Sequence, residues 1–448
     1  MKLPNAPRPL DELLDEHREH LPKLVQTAFH PTVDDRYVHW DTLRHFDPPA
    51  GLDHEQWWVG IKLSRFGDLR RLPLCDACGR PFTYTLPGRV QDALHRVDRR
   101  ASGWVGTSDQ VVNQGVRDRF IINSLIDEAV TSSQLEGAST TRSVAAEMIR
   151  AGRRPRDRSE RMILNNYRAM QTVRGMRDAP LTLDGLLSLH ATVTADTLDD
   201  SNAAGRMQTP GEERVRVWDR LEHRLLHTPP PAEQLPERMD ALIRFANQDG
   251  ADGPFLHPVV RAIAIHFWLA YDHPFEDGNG RTARALFYWA MLRDRYWMCE
   301  FISISGLLKQ APARYARAFL HTETDGNDLT YFIVHQVDVL LRALDELDAY
   351  VARKIEEVRH VERLLRRSTD LNHRQLALLS HAIRHSDGEY TMRSHMTSHR
   401  VAYATARADL YRLAELGLLE RRLIGRKTNV FSVPVDLEDR VRSLPPGA

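Results

Sequence analysis

The stretch HPFEDGNGRTAR at residues 273–284 gathers a histidine, two adjacent acids, a Gly-Asn-Gly turn and two arginines. Apolar runs flank it, PVVRAIAIHFWLAY at 258–271 and ALFYWAML at 285–292. Charged and turn-forming residues between two core-like runs need a chemical reason. His273 is a side chain that accepts a proton near neutral pH and suits a general base that activates a hydroxyl. Asp277 offers a hard oxygen for Mg²⁺, which commonly takes one or two carboxylates from the protein and the rest from phosphates and water. Glu276 is its neighbour and points elsewhere. Gly278, Asn279 and Gly280 allow a close backbone approach to an anion; a helix starting there would add free N–H groups. Arg281 and Arg284, three apart, share a helical face and can fork phosphate oxygens. Phe275 reads as an anchor that packs the loop down. These parts suit a triphosphate, handled by positioning and electrostatic stabilisation; the residues alone leave open which phosphorus is attacked.

Several elements must position this stretch. A helix is expected from His257–Pro258, with proline tolerated in its first turn. Its apolar residues are nearly continuous, so both faces should be covered, and Pro274 should end it. Residues 111–150 read as helical, with Ile122, Leu125, Ala129, Ser133 and Glu136 at steps of three and four. That periodicity puts the Glu136 carboxylate on an otherwise apolar face. Either the helix end is exposed or a buried cation meets it, because carboxylates are rarely buried alone. Gly137 can end the helix. Further helices are expected over 158–175, over 180–192 with Thr182 as cap, from the proline-rich PPPAEQLP to about 248, over 306–321, and over 329–360 with Asp328 as cap. Turn signals in 199–218, followed by the alternation of Val215 and Val217, predict a β-hairpin.

The flanking regions differ in character. Residues 1–110 hold Tyr37, Trp40, Trp57 and Trp58 and a helix capped by Asp53. Cys75 and Cys78 form CDAC, but there is no second CxxC and the remaining cysteine is Cys299. Structural zinc wants four ligands, so a tight turn between two short strands is expected instead. Residues 371–433 read as three helices followed by a basic two-stranded ribbon with Arg421, Arg422, Arg426 and Lys427, a winged-helix pattern. DNA binding there is an open alternative to protein docking. Lys plus Arg and Asp plus Glu both total 61, so no global basic field marks a dedicated nucleic-acid binder. Three cysteines exclude a disulfide scaffold. No signal-peptide core and no run of 18 apolar residues is found, so no membrane partner and a cytoplasmic location are expected.

Residues 273–284 resemble the signature of the Fic (filamentation-induced-by-cAMP) family, HxFx[D/E]GNGRxxR, matched by His273, Phe275, Asp277, Gly278, Asn279, Gly280, Arg281 and Arg284. The resemblance extends over roughly 115–345. With an N-terminal extension (1–110), the winged-helix domain read above (371–433) and a tail (434–448), the chain is expected to be mainly α; the resemblance implies an inhibitory helix region (111–150) and a Fic-type helical core with a small β-hairpin flap (151–360). It implies transfer of AMP from ATP to a Ser, Thr or Tyr hydroxyl of a protein, with release of diphosphate. His273 would be the base and Asp277 the Mg²⁺ ligand. Gly278, Asn279, Gly280 and Arg281 would cradle the phosphates, and Arg284 would hold the γ-phosphate. The hairpin at about 205–217, with Gly205 and Arg206 on its hinge side, would dock an extended target by strand addition. SSQLEG resembles the family's inhibitory motif [S/T]xxxE[G/N] through Ser132, Glu136 and Gly137. By that resemblance Glu136 would pair with Arg284 and block the productive γ-phosphate pose. Removal of AMP, another nucleotide donor, and a nucleotide-sensing transcription regulator stay open as alternatives, as does a homodimer.

Overall fold

The computed structural model describes residues 3–27, 29–102, 114–219, 222–248, 254–365, 371–384, 388–424 and 428–443. Arg426 and Lys427 lie outside the described residues. The described residues are mainly α-helical with three small antiparallel sheets, and the chain divides into two compact units, 1–347 and 348–448.

In the first unit, α1 (His54–Phe66) starts at Asp53, whose carboxylate accepts from Gln56 N at 2.7 Å while the Gln56 side chain accepts from Asp53 N. This reciprocal cap satisfies two donors that a helix start leaves free. Trp57 and Trp58 of α1 pack with Leu13, Leu24 and Leu43 into a local core. Strands β1 (Arg70–Cys75) and β2 (Pro81–Tyr84) pair antiparallel, with CDAC in their turn as expected. The Asp76 carboxylate holds that turn by accepting from Cys78 N and Arg80 N, each at 2.9 Å.

The helical core contains α2 (Gln114–Leu135), α3 (Arg158–Met176), α4 (Leu183–Thr194), α5 (Leu235–Asn247), α6 (Pro258–Asp272) and α7 (Asn279–Arg293). Thr182 caps α4, its hydroxyl accepting from Gly185 N at 3.0 Å. Almost every residue of α6 and α7 is buried, which is why their sequences lack an amphipathic stripe. The expected helix over 306–321 is two helices, α8 (Ile304–Gln310) and α9 (Pro312–Thr324), with Ala311 out of helical conformation between them at φ −141°, ψ 61°. Pro312 disfavours helical backbone at the residue before it. Helix α10 (Thr330–Leu365) follows, and the Asp328 carboxylate accepts from Thr330 N at 3.0 Å.

The hairpin lies later in the chain than the sequence suggested. Strands β3 (Val217–Asp219) and β4 (Arg224–His227) pair Val217 with His227 and Trp218 with Leu225. Gly205 and Arg206 therefore precede the hairpin rather than flank a strand. The segment 205–214 is held instead by tertiary bonds: Gln208 N donates to Pro274 O at 2.8 Å, and Arg214 donates to Asp272 O at 2.7 Å and to Pro230 O at 2.8 Å.

The second unit contains α11 (His373–Arg384), β5 (Glu389–Tyr390), α12 (Met392–His399), α13 (Tyr403–Glu415), β6 (Glu420–Ile424) and β7 (Thr428–Ser432). Its strands form one antiparallel sheet in the order β5-β7-β6. Its core is built on Leu378, Leu379, Leu410, Leu413 and Phe431. Among the described residues no helix is long and apolar enough to cross a membrane.

Candidate active site

Helix α6 ends because His273 turns into the left-handed region, at φ 46°, ψ 52°, before Pro274. Its backbone N–H still donates to Leu269 O at 3.0 Å. A non-glycine residue in this region is uncommon. The half-buried ring lies with Nδ1 3.3 Å from Ala270 O. A carbonyl only accepts, so Nδ1 carries the proton and Nε2 keeps its lone pair. Burial pulls the His273 pKa down to about 4, and the cationic His227 and Arg214 nearby act in the same direction against Glu136. At neutral pH the ring is therefore an unprotonated base.

The loop after it is clipped shut by Asn279. Its side chain accepts from Phe275 N at 2.9 Å and donates to Phe275 O at 2.8 Å. Both functions of that amide are thus engaged with the loop backbone, so Asn279 shapes the turn. The buried Phe275 ring stacks on His190 at 3.7 Å between centroids and 7° between planes. His190, which no spacing in the sequence linked to the loop, joins two segments. Gly205 N donates to its Nδ1 at 3.0 Å, so its proton sits on Nε2, which donates to Asp277 O at 2.8 Å. Burial holds the His190 pKa near 4, keeping that tautomer neutral. Gly278 has φ 81°, and a Cβ there would come within 2.6 Å of Thr194 Cγ2. Only glycine fits both the conformation and the space.

Helix α7 begins at Asn279, earlier than its apolar run, so both arginines of the stretch sit in its first two turns. Arg281 is fully buried. Its Nη1 donates to Val193 O at 3.0 Å and its Nη2 lies 3.5 Å from Asp277 Oδ2. Among the described residues its buried Nε and Nη2 have no hydrogen-bond acceptor. Arg284 is equally buried and differently placed. Its Nε donates to Ser132 Oγ at 2.9 Å, and its Nη2 donates to Ser132 O at 3.0 Å and Glu136 Oε1 at 2.8 Å. A Cβ on Gly280 would fall 2.3 Å from Glu136 Oε1 and 3.0 Å from Arg284 Nη1. The Glu136 carboxylate thus lies against the first turn of α7, although 148 residues separate it from Arg284. Gly137, at φ 101°, turns the chain away just after α2.

Asp277 is part-exposed, with Oδ1 accepting from Gly278 N at 2.6 Å and Oδ2 3.6 Å from Arg158 Nη2. Among the described residues no group of three or more His, Cys, Asp or Glu could hold a metal ion. A resident cage of protein ligands is therefore not formed by these residues. A lone carboxylate beside unpartnered arginine N–H groups does fit Mg²⁺ that arrives on phosphates. Behind the site, buried Asp272 accepts from Arg238 at 2.6 Å and from Trp268 Nε1 at 3.0 Å. Burial raises its pKa to about 6 against the opposing Arg238 charge. Arg238 also donates to Cys75 O at 2.6 Å, tying the β1–β2 turn to the end of α6. His227, on β4, contacts Glu323 at 2.7 Å and Tyr271 O at 2.7 Å through its two nitrogens. Both partners are acceptors, so the ring donates twice as a cation; burial opposes this but Glu323 raises its pKa.

The segment that holds this site is similar in sequence to known proteins. Residues 180–291 match the sequence profile of the Fic/DOC family. The chain carries a Fic/DOC-family domain. It is 35% identical over 115 residues to protein adenylyltransferase Fic of Nematostella vectensis, covering 25% of this chain and 23% of that one. It is 29% identical over 116 residues to protein adenylyltransferase fic-1 of Caenorhabditis elegans, covering 26% and 20%. The chain thus matches less than a quarter of the length of these relatives. Its fold is similar to that of a Fic family protein from Desulfovibrio desulfuricans G20, with a TM-score of 0.53 at 19% identity over 79% of this chain and 98% of that one. It is similar also to C. elegans Fic-1, with a TM-score of 0.50 at 17% identity over 77% and 87%.

Proposed function

We propose that this protein is an adenylyltransferase that moves AMP from ATP to a Ser, Thr or Tyr hydroxyl of a target protein, releases diphosphate, and is held in check by Glu136. The observation that carries the reading is the pair of buried arginines at the start of α7, one turn beyond a neutral base. Arg281 has N–H groups with no acceptor among the described residues, and Arg284 has an acceptor from the chain itself.

In the forward reaction, His273 Nε2 takes the hydroxyl proton as the target oxygen bonds to the α-phosphorus and the bond to the diphosphate breaks. The αL turn and the Ala270 carbonyl fix which nitrogen faces the incoming proton. Mg²⁺ held by Asp277 would offset charge on the phosphates. Arg281 and the N–H groups at the start of α7 bind the phosphate chain. Arg284 is the remaining cation for the γ-phosphate, and Glu136 must leave it first. The β3–β4 hairpin offers open edges and the exposed cross-strand neighbours Trp218 and Leu225 to an extended target segment.

The test is peptide mass spectrometry after the Glu136→Gly form is incubated with Mg-ATP and a cell lysate. AMP on a hydroxyl residue of a target, absent with His273→Ala, supports the assignment. Modification by a different nucleotide fragment, or modification unaffected by His273→Ala, overturns it.

A further inference from the structure

The second unit carries a surface that adenylyl transfer does not use. Helices α12 and α13 are joined by the short turn Arg400–Ala402, with Arg400 at φ 51°. The β6–β7 ribbon follows α13 directly. Helix, tight turn, helix and ribbon is an arrangement that can lay its second helix in a groove of a nucleic acid.

The distribution of charge on α13 is uneven. Its one carboxylate in the first three turns, Asp409, is buried and faces inward. It accepts from Arg374 Nε at 2.7 Å and Asn372 Nδ2 at 2.8 Å, and lies 3.2 Å from His395 Nε2. That cluster ties α13 to α12 and to the start of α11, and fixes the orientation of α13. The outer face of the same turns holds exposed Tyr403, Ala404, Arg407 and Ala408. The alanines are small enough to let the helix backbone approach a groove floor. Arg407 of α13 and Arg421 of β6 lie over the Tyr411 ring, 5.2 and 5.0 Å from its centroid. One aromatic ring therefore brings a helix cation and a ribbon cation together. Arg393 and Arg400 are exposed on and after α12. Among the described residues none of these four arginines is paired with a carboxylate. The outer face of the first three turns of α13 is thus free of acids, and the carboxylate of the ribbon, Glu420, is taken up by Arg422 and Arg440 at 3.9 and 3.8 Å; a local excess of unpaired cations stands out on a chain that is neutral as a whole.

We propose that α12, α13 and the β6–β7 ribbon form a winged-helix surface that binds double-stranded DNA, with the first turns of α13 in the major groove and Arg407 and Arg421 on flanking phosphates. An exposed basic helix with small residues fits the wide major groove of B-form DNA, whereas the deep, narrow groove of A-form RNA excludes it. A protein-docking face of this size would present an apolar centre. Among the described residues of α13 and the ribbon the exposed large apolar side chains are two, Tyr403 and Leu423, one on each element.

The test is fluorescence anisotropy of the full chain on a labelled random-sequence duplex, repeated on duplex RNA and single-stranded DNA, across a salt series. Duplex DNA should bind tightest at low salt, with affinity falling steeply as salt rises. The Arg407→Glu/Arg421→Glu variant should lose about tenfold or more in affinity and flatten the salt slope by roughly one or two phosphate contacts. Its circular dichroism and thermal unfolding should match the wild type, and Glu415→Gln, farther along α13, should leave binding intact. Absence of duplex binding at low salt, tighter binding to RNA or single strands, or a folded double variant with undiminished binding would overturn the proposal. None of those outcomes bears on adenylyl transfer, which uses residues of the first unit.

Discussion

Arg281 and Arg284 sit less than one turn apart on α7, both buried, yet their surroundings are opposite. Arg281 contacts a carbonyl and the edge of Asp277, and its Nε and Nη2 have no acceptor among the described residues. Arg284 is met by the Ser132 hydroxyl, the Ser132 carbonyl and the Glu136 carboxylate. An unpaired buried N–H group costs free energy unless something fills its place. The first arginine thus waits for an anion, and the second holds one supplied by α2. On the proposed function, the contrast divides one anion-binding face into an open half and a half occupied by the protein itself.

The largest expected effect falls on the base that serves both halves. His273→Ala should lower AMP transfer by about 100- to 10,000-fold, the usual contribution of a positioned general base, measured with labelled ATP in the Glu136→Gly background. Next is the carboxylate that divides them. Glu136→Gly should raise the transfer rate by about 5- to 150-fold, the range of a coupling worth 1–3 kcal/mol; equal rates would remove Glu136 from the account.

The two arginines should then behave differently in a mutant cycle. Arg281→Ala should weaken nucleotide binding with Glu136 present or absent. Arg284→Ala should weaken it only once Glu136 is gone, a non-additivity of about 0.5–3 kcal/mol. Additive losses would mean that Glu136 does not occupy the Arg284 site. A smaller effect is expected from Asn279→Ala, which leaves Phe275 N and O without their partners. It should destabilise the fold by about 1–3 kcal/mol, read as a lowered melting temperature, with a loss of activity through the displaced loop.

The pH dependence follows from His273. Its folded pKa of about 4 lies below the ordinary histidine value of about 6.5. Between those values the unfolded chain binds more protons, so stability from this group is full above about 6.5 and declines as pH falls toward 4. NMR titration of the His273 ring should show a midpoint well below the ordinary histidine value of about 6.5.

The candidate site was legible in the sequence because its residues are contiguous: histidine, acid, turn and arginines fall within 273–284. Glu136 was legible for a different reason, as a carboxylate on an apolar helical face that needed a cation. His190 was not, since its role arises only when α4 packs its ring on Phe275 and its Nε2 reaches Asp277. Arg214 and Arg238 escaped for the same reason, as their partners are backbone carbonyls and a buried acid distant in the chain. Long apolar runs foretold α6 and most of α7. The hairpin was misplaced because strands of three and four residues carry too little alternation to set a register. Its position depends instead on Gln208 and Arg214, which bond the preceding segment to the end of α6 and the residues that follow.

The division of the anion face is tested most directly by calorimetric binding of ATP and ADP to the wild type and to Glu136→Gly. With Glu136 in place, a third phosphate finds no free arginine, so the wild type should bind the two nucleotides alike. Glu136→Gly should gain affinity for ATP over ADP, and Arg284→Ala in that background should abolish the gain. A wild type that already prefers ATP, or a Glu136→Gly form that gains equally for both, would contradict the claim that Glu136 fills the site of the terminal phosphate.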